Sequence, residues 1–139
     1  MAIAVREELN SRRWEVTLRA AEVPGWRRRV GGVVAEWEAA RGAEEAVLLG
    51  VTELLSNVLA HAGDPRCALT LRRVGTAVVV TVEDHSHRLP RILCPDPSDI
   101  DGRGLWLLHH MVEGRMGWWV VPTGKKIWFS CGPAPEDAR

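Results

Sequence analysis

The stretch Glu44 to His61, EEAVLLGVTELLSNVLAH, constrains the fold of this chain more than any other. Apolar residues at Val47, Leu48, Val51, Leu54, Leu55, Val58 and Leu59 repeat at the spacing of one helical stripe. The segment therefore reads as an amphipathic helix with one face on a core. At about 100° per residue, Glu53, Asn57 and His61 form a second line on the opposite side. Their neighbours there are Ala43, Ala46, Gly50 and Ala60. An ordinary solvated face would carry Lys, Arg and more Glu. A face that is small as well as polar leaves room for something to lie close against it. The plain alternative, that Glu, Asn and His point at water, is left open by spacing alone.

The flanking elements follow from periodicity. Arg13 to Arg19 alternates Trp14, Val16 and Leu18 against charge, the pattern of a half-buried strand. Val23-Pro24-Gly25 is a break with Pro24 suited to a helix start, and Trp26 to Ala40 reads as helix. Its core face is Trp26, Val30, Val33, Val34 and Trp37. Gly63 and Pro65 stop the second helix. Ala68 to Val74 and Ala77 to Glu83 read as a hairpin around Gly75-Thr76. His85 to Asp101 holds three prolines and little periodicity, so it reads as a long loop, and such loops in small domains serve as lids or binding loops. Gly102-Arg103-Gly104 opens a short helix, Leu105 to Val112. Trp118 to Val121 and Lys126 to Cys131 read as a last hairpin. The expected architecture is α+β: a two-layer α/β sandwich, with a mixed, mostly antiparallel sheet and the helices on one face. One domain is expected over residues 13–131, with 1–12 and 132–139 as tails.

Composition removes several function classes. Lys+Arg and Asp+Glu balance at 18 each, so no global field argues for direct nucleic-acid binding. No apolar run is long enough to span a membrane, and the charged start does not fit a signal peptide. Cys67, Cys94 and Cys131 are odd in number and widely spaced, which argues against a disulfide framework and for a reducing cytoplasm. His85, His87, Cys94, His109 and His110 have no spacing that resembles a zinc site.

Three motifs stand in order on these elements. The helix carries Glu53-Leu54-Leu55-Ser56-Asn57 with His61. A strand end carries Val82-Glu83-Asp84-His85-Ser86, and a loop-to-helix junction carries Gly102-Arg103-Gly104-Leu105. Together they resemble the GHKL ATP-binding superfamily, which includes histidine kinases and gyrase. Within it, the likeness is nearest to the stand-alone bacterial anti-sigma regulatory factors that act as serine/threonine protein kinases, and it runs from about Val16 to Cys131. The ending, Trp118 to Pro122 and then Gly124 to Trp128, resembles that group as well.

The resemblance implies the Bergerat-type sandwich, with ATP and Mg²⁺ as cofactors. It makes Asn57 the Mg²⁺ ligand and Glu53 the catalytic carboxylate, the general base on an attacking hydroxyl. Asp84 would accept a hydrogen bond from the adenine amino group, with Ser86 beside it. Gly102, Arg103, Gly104 and Leu105 would form the phosphate-side turn, with Arg103 adding a charge-assisted contact. His61 would lie at the pocket edge, and the loop from His85 would be the ATP lid. The implied work is phosphorylation of a small STAS-type anti-sigma-factor antagonist, with sequestration of a sigma factor as a second role. Homodimers are common in the relatives. The alternative is a non-catalytic module that holds a partner with or without nucleotide.

Three features depart from the family pattern. The adenine-side Thr before the last strand is replaced by Lys126, leaving Thr123 three residues earlier as a substitute. Trp119 stands where Gly is common, and the lid carries only Arg88 and Arg91 as basic residues.

Overall fold

The computed structural model describes residues 2–39, 42–90 and 103–132. In chain order these form β1 (Ala2–Glu8), β2 (Ser11–Thr17), a 3-10 turn (Ala20–Glu22), α1 (Val23–Glu36) and α2 (Ala43–His61). β3 (Arg66–Val74), β4 (Ala77–Asp84), α3 (Arg103–Met111), β5 (Met116–Val121) and β6 (Gly124–Cys131) follow. The six strands make one sheet in the order β1-β2-β3-β4-β6-β5. All neighbouring pairs run antiparallel, so the expected sandwich is present but its sheet is not mixed. β6, not β5, pairs with β4, leaving β5 at the edge.

The alternation of each strand decides which side faces the helices. Trp14 and Val16 on β2, Cys67, Leu69 and Leu71 on β3, and Val78, Val80 and Val82 on β4 are buried together with Ile127, Phe129 and Cys131 of β6. They pack on α1 and α2 through Trp26, Val30, Val34, Val47, Val51, Leu54, Leu55 and Val58. Leu105, Leu108 and Val112 bring α3 onto the same side. Trp14 and Trp26 meet edge to face at 5.7 Å, tying β2 to α1.

Element ends follow local chemistry. α1 begins three residues before the apolar periodicity does, because Pro24 fits the first helical turn, where its missing N–H costs nothing. It ends at Glu36 with Trp37 as its cap, not at Ala40, and Glu38 is left-handed with φ 50°. α2 stops where Gly63, at φ 73°, takes a left-handed turn that only glycine adopts cheaply. β1 was not expected: residues 2–8 pair with β2 from Ala2 opposite Val16 to Glu8 opposite Ser11. Among the described residues, no helix is long and apolar enough to cross a membrane.

Candidate functional site

The polar line of α2 changes character along its length. Ala43, Ala46 and Gly50 are buried, Glu53 and Asn57 are half-buried, and His61 is exposed. The reason is packing. A Cβ on Gly50 would overlap the ring of Phe129, and a Cβ on Gly104 would overlap the Glu53 carboxyl. The residues along this face are small because β6 and α3 come down onto it. Gly104 thus has a role visible in the fold itself: it lets the start of α3 lie against Glu53.

That contact shapes the chemistry of Glu53. No described residue donates a hydrogen bond or a charge to its carboxylate, and burial raises its pKa above the ordinary glutamate value. A more basic carboxylate, partly desolvated and unpaired, suits proton abstraction from a hydroxyl near neutral pH. Asn57 lies one turn later on the same face, and no described residue bonds its amide. Its oxygen is free to meet a hard cation.

A second cluster sits where β4 meets β6. Asp84 continues the inward-facing line of Val78, Val80 and Val82, and its side chain is only 5% exposed. Directly across the ladder stands Lys125, 7% exposed, whose Nζ donates to Oδ1 at 3.0 Å and to Oδ2 at 2.8 Å. The Ser86 N–H donates to Oδ1 at 2.9 Å in a tight Asx turn, and the Ser86 carbonyl lies 3.5 Å from Lys125 Nζ. Gly124 makes this possible, since a Cβ there would overlap the Asp84 carbonyl and the His85 Cα.

The other expected site residues fall as follows. Lys126 does not face Asp84. On β6 the inward residues are Lys125, Ile127, Phe129 and Cys131, so Lys126 points to the opposite face. There it pairs with Glu83 at 3.4 Å and lies over the Trp119 ring. Thr123 is exposed in the β5–β6 turn, and Leu105 is a core residue of α3. The Ser86 hydroxyl accepts the Arg88 N–H at 3.1 Å, shaping the start of the loop. His87 Nε2 donates to the Val121 carbonyl at 3.0 Å, which holds that start against the end of β5. Arg103 opens α3. Gly102 and the rest of the loop, residues 91–101, lie outside the described residues.

Sequence reasoning missed Lys125. The signal was present: with Asp84 inward and the strands antiparallel, alternation along Lys125-Lys126-Ile127-Trp128-Phe129 puts the first lysine on the side of Ile127 and Phe129. The last strand was expected to start at Lys126, which left Lys125 outside the alternation; the buried carboxylate explains why a lysine is tolerated at this core position.

The donor set agrees with nucleotide and Mg²⁺ on one side and not on the other. Among the described residues, no group of three or more His, Cys, Asp or Glu side chains could hold a metal by itself. The Asn57 side-chain oxygen is a hard donor of the kind Mg²⁺ takes. Gly104 beside Glu53 leaves a bare backbone approach at the start of α3. The Asp84 carboxylate, by contrast, is already engaged by Lys125.

Residues 16–130 match the family model of the histidine kinase-like ATPase domain. No curated protein matches the chain.

Proposed function

Because the chain belongs to the histidine kinase-like ATPase domain family, we propose that it binds Mg²⁺-ATP and transfers the terminal phosphoryl group to a Ser or Thr hydroxyl of a partner protein. The family match supports ATP binding. The carrying observation for transfer is the Glu53 carboxylate: without a partner among the described residues, pushed up by burial and one turn from Asn57.

Asn57 would hold Mg²⁺, which when bound neutralises developing phosphate charge. Glu53 accepts the proton of the attacking hydroxyl, and the Gly104 backbone lets α3 approach. The partner class is a small STAS-type antagonist, with a sigma factor as a second partner, in the cytoplasm and with the chain acting as a homodimer. The partners and the homodimer rest on the motif resemblance alone, and the cytoplasm on the odd, widely spaced cysteines.

Calorimetric titration with ATP, with and without Mg²⁺, tests binding. Glu53→Ala should keep ATP affinity and lose phosphoryl transfer to a cognate antagonist by roughly two to four orders of magnitude. Asn57→Ala should lose the Mg²⁺-dependent part of binding. Wild-type behaviour of both variants in a transfer assay sinks the kinase reading. One observation favours the second reading, a partner-holding module without turnover: Lys125 on Asp84. That reading expects partner binding to survive both substitutions.

A further inference from the structure

Asp84 is the only buried acidic side chain among the described residues, and it does not stand free. Its carboxylate accepts from Lys125 on both oxygens and from the Ser86 N–H on one, using three of about four lone-pair positions. Both side chains are almost wholly out of water, so withdrawing Lys125 would leave a buried charge unpaired, an unfavourable state. The strand register places Lys125 there, directly opposite Asp84, and no rotation of an exposed side chain is involved.

Resting on the nucleotide-binding reading above, we propose that Lys125 is a specificity-determining residue that abolishes selection for adenine. A free buried carboxylate accepts from the 6-amino group of adenine and rejects a 6-oxo purine, whose oxygen it would repel. A carboxylate covered by an ammonium does neither. The amino group finds one lone pair left, on a carboxylate whose charge the cation already neutralises, while a 6-oxo group can accept from the ammonium itself. Nucleotide is then held through its phosphates, on the Asn57 and Gly104 side, with the base read weakly.

Inosine triphosphate is the matched probe, since its base carries the 6-oxo group in place of the amino group. Calorimetry of the full chain with Mg²⁺-ATP and Mg²⁺-ITP should give affinities within about threefold for wild type. In Lys125→Thr, which opens Asp84, ATP should be preferred by about tenfold or more, as expected for a site with a buried acceptor to satisfy. The wild-type ratio needs no variant to fold: a tenfold preference for ATP in wild type overturns the inference and leaves the ATP-binding reading intact. If wild type binds neither nucleotide while Lys125→Thr gains ATP binding, Lys125 closes the site and does not merely loosen its selection, and the inference is overturned. Silence of both proteins toward both nucleotides overturns it together with the ATP-binding reading.

Discussion

Replacing Gly50 with alanine sets two effects of known size against each other. An alanine in a helix interior is worth about 1 kcal/mol over glycine, so propensity alone predicts stabilisation. Packing predicts the reverse. The new methyl would overlap three atoms of the Phe129 ring, and Phe129 is fully buried on a strand flanked by β4 on one side and β5 on the other. The ring cannot swing away without moving β6. Overpacking of one methyl in such a core costs about 1–3 kcal/mol, and an overlap with three ring atoms belongs near the upper end. The net loss is about 2 kcal/mol, or a fall in Tm of roughly 6–8 °C for a domain of this size. Gly32 on α1 is the control: it is exposed and a Cβ there meets nothing, so Gly32→Ala should raise Tm by about 3 °C. Thermal unfolding by circular dichroism reads both. In addition, Phe129→Leu should cost less in the Gly50→Ala background than in wild type, since it relieves the overlap. If Gly50→Ala raises Tm as Gly32→Ala does, β6 does not lie on α2 in this way, and the packing account of the small face is wrong.

Two further outcomes follow from titration. Burial raises the folded-state pKa of Glu53, so the stability tied to its protonated form is present below the unfolded value and lost as pH rises through the folded one. Glu53→Gln, which cannot ionise, should therefore gain stability relative to wild type between pH 4 and pH 7 in urea unfolding. A difference that stays flat or shrinks over that window contradicts the desolvated carboxylate. Burial also pushes the Cys67 and Cys131 thiols up to about 12, with Asp84 adding to the effect at Cys67. Iodoacetamide at pH 8 should leave both unlabelled in the native protein by peptide mass mapping. Rapid native labelling of either would show that the face between sheet and helices opens.

Much of this organisation was readable from periodicity. The Glu44–His61 helix, the two hairpins and the single-sided helix layer follow from 3.6- and 2-residue repeats, which reflect burial on one face directly. β1 was not readable, because AIAVREE offers little alternation and its pairing is supplied by the neighbouring strand. The end of α1 was misplaced because apolar spacing continued past Trp37 while the backbone turned left-handed at Glu38. At the site, Glu53 and Asn57 sit on one face as spacing predicted. Lys125 and Lys126 were harder. Adjacent identical residues carry no pattern, and only the pairing of β6 with β4 sorts one inward and the other outward. Gly104 was read as a phosphate-side glycine, and its contact with Glu53 is tertiary, beyond any local signal.

The strand order has a consequence for how the molecule assembles. β3 with β4, and β5 with β6, are hairpins whose partners are neighbours in sequence, so each can zip with little loss of chain entropy. The β4–β6 seam joins residues 41 to 53 positions apart, and the Asp84–Lys125 pair lies at its end. Long-range seams close after local hairpins, so the Asp84–Lys125 cluster is among the last features to exist in a folding chain. A molecule with both hairpins formed but unjoined would carry Asp84 and Lys125 and still lack their ion pair. The Asp84–Lys125 contact is thus a report on the completed sheet, and a destabilised seam would lose it before it lost most of its secondary structure.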